Sequence, residues 1–201
     1  MSGSALGRVI TRPARRRDAE RCELCGRDVP QAHAHVLDEQ TGELLCSCRA
    51  CALLFEQDGA AGGRYRPVPE RRVRLSGPEP AELGVPVGLA FFVRRPDGGV
   101  DACYPSPLGV TRWEVDLKVW ERATAGWEPL RAMRPAVEAL LVNTSRGVSQ
   151  QWLVPIDDCY RLVALVRRHW TGLSGGERVW KEIEAFFADL TSANASEGKG
   201  R

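Results

Sequence analysis

The chain has 201 residues, 43% of them hydrophobic and 27% charged, with a formal net charge of +2; this supports one sizeable core plus a small satellite module. So small a net charge excludes a molecule-wide field that would steer polyanions or anionic lipid, and any nucleic-acid contact has to rest on a local patch. All but three of the 28 basic residues are arginine, a compositional bias that weakens any argument from arginine clusters alone.

In chain order, residues 1–20 are polar, with Arg12, Arg15, Arg16 and Arg17 around Pro13, and their lack of apolar periodicity predicts a flexible basic arm. The first ten residues contain no apolar core of a signal peptide, and the longest apolar stretch, residues 87–93, is far too short to cross a bilayer. A cytoplasmic protein without membrane insertion is therefore expected. Seven cysteines, five of them between Cys22 and Cys51, are in that reducing compartment metal ligands before they are disulfides.

Residues 21–64 hold the cysteine module, which reads Cys22-x2-Cys25-x7-His33-x-His35-x10-Cys46-x-Cys48-x2-Cys51. Two Cys-x2-Cys pairs on separate turns let four thiolates converge on one tetrahedral ion. The 22-residue spacer between them is slightly longer than the usual zinc-ribbon range. Gly26 suits the left-handed turn of a zinc knuckle, residues 33–37 and 43–48 flank a turn at residues 38–42, and a short helix is predicted at residues 50–56. Knuckle, hairpin and then a helix carrying the second pair is the order of a treble-clef zinc finger. Pairing Asp38 with Glu43 sets His35 opposite Cys46 and His33 opposite Cys48, and alternation puts all four on one face. Cys22, Cys25, Cys48 and Cys51 are the expected zinc ligands. His33, His35 and Cys46 can act as a supporting hydrogen-bond network, replace one thiolate, or hold a second ion or help hold an iron-sulfur cluster.

The stretch at residues 65–80, extended and then rich in Gly and Pro, is expected to be a linker. An α+β domain follows over residues 81–191, with about four strands in a mostly antiparallel sheet. Residues 87–95 and 100–104 form a hairpin across Pro96, Asp97, Gly98 and Gly99. Residues 113–120 fit both periods, and a helix from about Asp116 is favoured. Residues 137–143 and 151–156 are further strands. Asp157 is placed to cap a helix with Cys159, Leu162, Val163, Val166 and Trp170 on its apolar face. Ser174 and Glu177 read as a capping box before a second helix carrying Val179, Trp180, Ile183, Phe186, Phe187 and Leu190. A disordered tail is expected over residues 192–201.

No catalytic constellation emerges. The Gly172, Ser174 and Gly176 spacing satisfies a hydrolase elbow, but that motif needs a preceding strand where a helix is predicted. Four protein ligands also close a zinc site to substrate. Residues 1–74 carry 13 basic against 10 acidic side chains, too modest an excess to favour nucleic acid, although an arginine arm beside a zinc module keeps that reading open.

The residues from Cys22 through Gly26, His33 with His35, Leu44 through Phe55 and Gly63 through Pro69 resemble the start of an uncharacterised bacterial cysteine-rich family of about this length. So do the later runs Tyr104 through Pro107, Leu153 through Tyr160 and Trp170 through Gly176; the resemblance spans about residues 20–190. Members of that family are commonly encoded beside high-affinity nickel-iron hydrogenase genes. The resemblance thus implies a non-enzymatic accessory role, with a hydrogenase subunit or maturation factor as the protein partner, and supplies no residue-by-residue activity.

Overall fold

The computed structural model describes residues 20–56, 60–86, 88–172 and 174–197, without side chains at 60, 61 and 193–197. Apart from Glu20, the expected arm at 1–20 lies outside the described residues. The chain divides into two compact units, with the boundary between Pro67 and Val68. Both are mixed or antiparallel β structure with helices, an α+β protein.

The first unit is built on a hairpin, β1 (Ala34–Asp38) and β2 (Glu43–Ser47), with β3 (Tyr65–Pro67) on the far side of β1. Its turn forms because Asp38 accepts twice: Gln40 N donates to Asp38 Oδ1 at 2.9 Å and Gly42 N to the Asp38 carbonyl at 2.7 Å. Gly42 then takes φ +72°, a conformation that any side chain would strain. Arg64 donates to Asp38 Oδ2 at 2.8 Å and 3.1 Å. That contact, chiefly, holds the Asp38 carboxyl below its ordinary range, and it ties β3 to the hairpin. After β2 comes a single-turn helix, α1 (Arg49–Leu53).

The second unit is a six-stranded antiparallel sheet in the order β4-β9-β8-β5-β6-β7. The strands are β4 (Val73–Leu75), β5 (Leu89–Arg94), β6 (Val100–Ser106), β7 (Gly109–Val115), β8 (Glu138–Asn143) and β9 (Gln150–Pro155). Four helices accompany it: α2 (Leu117–Thr124), α3 (Glu128–Arg131), α4 (Ile156–His169) and α5 (Gly176–Glu197). Register aligns Ala102, Phe92, Leu140 and Leu153 across four neighbouring strands, and Cys103, Phe91, Leu141 and Trp152 one residue away. Because side chains alternate, these rows lie on opposite faces of the sheet. The first row packs with Trp120 of α2, Leu130 of α3 and Leu83 in one core. On the other side Tyr160 of α4 meets Phe91 edge-on, with ring centroids 6.4 Å apart. Both faces being covered, β8 is buried throughout and apolar from Ala139 to Val142, as is the centre of β9, which is why these stretches run without polar alternation.

Several expectations change. The 65–80 segment supplies β3 to the first unit's sheet and β4, with Arg71 and Arg72, to the second unit. At residues 113–120 the favoured helix is present from Leu117, with its cap Asp116 accepting at Oδ1 from Lys118 N and Val119 N, while residues 113–115 close strand β7. Helix α4 begins at Ile156, so Asp157 lies within its first turn and is not its cap. Helix α5 begins at Gly176, which leaves Ser174 outside the cap position, and Glu177 turns instead to Arg146, 3.3 Å away. The same helix continues through residues 192–197, where the sequence suggested disorder. Helix formers such as Ala193 and Ala195 can extend a helix already anchored by a buried face.

Candidate metal centre

The first Cys-x2-Cys pair sits on a knuckle made by backbone geometry. Gly26 N donates to the Cys22 carbonyl at 2.7 Å and Cys22 N to the Arg27 carbonyl at 2.8 Å. Gly26 holds φ +74° with open space around its Cα, so the requirement for glycine there is conformational. The knuckle is strapped to β2 from both directions: Glu23 N donates to the Cys46 carbonyl at 2.9 Å, and Cys46 N donates to Glu23 Oε2 at 2.6 Å. The second pair lies at the start of α1. Cys48 is its extended N-cap residue, Ala52 N donates to the Cys48 carbonyl at 3.0 Å, and Cys51 follows one helical turn later.

These two supports bring the Cys22, Cys25, Cys48 and Cys51 sulfurs within 4.8 Å of one another. Cys25 Sγ and Cys48 Sγ are 3.8 Å apart. Four sulfurs at about 2.3 Å from a zinc ion define a tetrahedron with edges of about 3.8 Å, so this cage has the dimensions of a one-ion tetrathiolate centre. Four cysteines this close can hold a metal ion such as zinc.

The electrostatics of the cage point the same way. Burial pushes the Cys22 thiol up, but donation from the backbone of Cys48, Cys25 and Leu24 and from the Cys25 thiol outweighs it and brings the group down to about 6. Donation from the Cys51 backbone lowers Cys48 as well, against burial. Cys51 goes the other way, up to about 12, through burial first and then its contacts with Cys48, Cys25 and Cys22. Several thiolates cannot share so small a volume without a cation, because like charges at this separation oppose each other's ionisation. A divalent ion removes that conflict.

His33, His35 and Cys46 form a second group, with donor atoms also within 4.8 Å of one another. The expected His35–Cys46 register is present: Asp38 pairs with Glu43 and His35 with Cys46. Cys48 departs from the expected common face. The strand ends at Ser47, and α1 carries Cys48 into the four-cysteine group.

A family model for DUF5947, a family of unknown function, matches residues 21–194. The chain belongs to that family. The matched region takes in the knuckle, both metal-type clusters, the six-stranded sheet and most of α5. No curated protein and no solved structure matches the chain. Among the described residues, no helix is long and apolar enough to cross a membrane.

The other two cysteines are of a different kind. Cys103 is 4% exposed and Cys159 fully buried; burial, the leading cause in each case, pushes Cys103 up to about 11 and Cys159 well above the ordinary thiol range. Protonated, shielded thiols are poor nucleophiles. We expect native, metal-loaded protein treated with iodoacetamide at neutral pH to keep both unmodified, with modification of either one appearing only after denaturation; peptide mass spectrometry reads the outcome. The G-x-S-x-G spacing at residues 172–176 follows α4 and ends on the first residue of α5, so a helix stands where a nucleophile elbow requires a strand.

Proposed function

We propose that this protein is a zinc-stabilised, non-enzymatic accessory protein. In this reading Cys22, Cys25, Cys48 and Cys51 hold one structural ion, and the lobe they fix presents its hairpin to a protein partner. The observation that carries it is the cage itself: four sulfurs at single-ion spacing, set by a glycine knuckle and a helix start. A complete set of four protein ligands leaves no position for substrate, which supports a structural over a catalytic role. The spacing also favours a single ion over a four-iron cluster, whose ligands must stand around a larger body.

The larger unit supplies further surface for the partner. Trp113 on the edge strand β7 is 66% exposed, and Leu108 in the β6–β7 turn is 96% exposed. An exposed tryptophan on an edge strand suits protein contact, since Trp dominates interface energetics. The family resemblance narrows the partner to a subunit or maturation factor of a nickel-iron hydrogenase, in the cytoplasm. The rival reading, a nucleic-acid-binding regulator, is weakened by charge pairing in the first unit. Arg21, Arg64 and Arg66 face Asp28, Asp38 and Glu39 at salt-bridge distance and so have less to offer a phosphate.

Tagged full-length protein recovered from native cells is expected to bring down a hydrogenase subunit or maturation factor, and Trp113→Ala to reduce that recovery several-fold without lowering thermal stability. Deletion of the gene should lower hydrogenase activity. Unchanged activity and unchanged small-subunit stability in the deletion strain would remove the hydrogenase assignment while leaving the metal centre in place.

A further inference from the structure

The second ligand group has features that a passive strand face does not require. His33 is held by its Nδ1, 2.9 Å from the Pro30 carbonyl oxygen. A carbonyl can only accept, so Nδ1 carries the proton and Nε2 is left as a bare lone pair. Glu20 Oε2, 3.5 Å from the same Nδ1, favours that proton position further. The Nε2 atom is buried and has no hydrogen-bond partner, on a side chain only 5% exposed. Burying an acceptor unpaired is unfavourable, and such atoms call for an explanation. An imidazole oriented through one nitrogen by a backbone carbonyl, with its other nitrogen unprotonated, is the arrangement that metal-ligating histidines use.

The neighbours of that nitrogen complete a donor set. His35, the second residue of β1, has its ring centroid 4.6 Å from that of His33 just ahead of the strand, and cross-strand register brings in Cys46. One donor atom from each of the three lies within 4.8 Å of the other two. Two imidazoles and a thiolate select borderline-soft transition metals over calcium or magnesium. Three protein ligands leave a fourth position open, the feature that separates reactive or exchangeable sites from closed structural ones.

We propose that His33, His35 and Cys46 form a second metal site on the hairpin, binding a divalent transition-metal ion whose fourth position is taken by water or by a donor from a partner protein. The site rests on the four-cysteine reading only for the fold of the lobe. It changes what the hairpin presents: a coordinatively open ion in place of a plain polar face.

Cobalt titration of the full-length reduced protein tests this, with Co2+ as the probe. The wild type is expected to bind two equivalents: one with the intense sulfur-to-cobalt absorption of a tetrathiolate site, the other with weaker bands of mixed nitrogen and sulfur coordination. His33→Gln and, independently, Cys46→Ser should each bind one equivalent with the tetrathiolate spectrum intact, which also reports that the lobe has folded. A wild type that takes up one tetrathiolate equivalent, unaltered by His33→Gln, would overturn the second site and leave the first standing. Loss of both ions from both variants would overturn it too, by making the histidines part of a single centre. Absence of any tetrathiolate spectrum in the wild type would instead count against the four-cysteine reading.

Discussion

Replacing Cys22 with serine is expected to release the bound ion and unfold the first unit, leaving the second folded. The size of the effect follows from how little else holds that unit. Among the described residues its three strands have five, five and three residues, its α-helix five, and the buried apolar side chains are few: Cys22 itself, Val29, Val36 and Leu37. A core that small supplies only a few kcal/mol against chain entropy. A structural zinc ion in a small domain contributes an apparent 10–16 kcal/mol of binding free energy, roughly, and that energy is folding energy. Three backbone groups, those of Cys48, Cys25 and Leu24, also donate to the Cys22 sulfur, so serine there loses both the ligand and the anchor of the knuckle. Native mass spectrometry should show the tetrathiolate zinc ion of the wild type missing, and limited proteolysis should cut within residues 20–56 while sparing the six-stranded sheet.

The second large effect is expected at Arg71, in the larger unit. Glu138 begins β8 and its side chain is completely buried. Its carboxylate accepts from Arg71 Nε at 2.5 Å and Nη2 at 2.9 Å, and from Arg134 N at 2.7 Å. Arg71→Ala leaves that charge buried with a single donor, a defect that costs about 3–5 kcal/mol when a buried pair is broken from one side. Since Arg71 is itself partly exposed, with 42% of its side chain open to solvent, water can replace some of the lost contact, and about 3 kcal/mol is the expected figure. The double variant Arg71→Ala with Glu138→Gln should recover part of the loss, because the amide is neutral. Urea unfolding of the wild type and the two variants, fitted to the second transition, measures both numbers. Arg72 and Asp158 form a parallel pair, with Arg72 Nε donating at 2.6 Å to a carboxylate whose side chain is 3% exposed. The two pairs explain why residues that read as linker are fixed in place.

What could be read from the sequence was local. The cysteine spacing, the glycine after Cys25 and the turn between Asp38 and Glu43 each constrain neighbours within a few residues, and together they located the cage and the His35–Cys46 pairing. The 95–99 loop and the apolar runs of β5, β8 and β9 were legible for the same reason. What escaped is long-range. Arg71 and Arg72 find their carboxylates 67 and 86 residues away, and no periodicity carries that information. Asp158, adjacent to Asp157 at a helix start, has the look of a capping residue until Arg72 is placed beside it. Strand β7 is only half legible because both of its faces are solvated over four residues: Thr111, Arg112, Trp113 and Glu114 are all exposed, so burial imposes no clean alternation. The divergence of Cys48 from the hairpin face had a local cause that register alone does not contain, the helix starting at Arg49.

Hydrogen exchange of the intact chain, followed by mass spectrometry before and after a strong chelator, tests most directly whether an ion holds the first unit together. Metal removal should abolish protection at residues 22–53 and leave the amides of β5, β8 and β9 as protected as before. Protein that contains no stoichiometric metal as purified, and whose residues 22–53 exchange equally slowly with and without chelator, would contradict the four-sulfur centre as the organiser of the lobe.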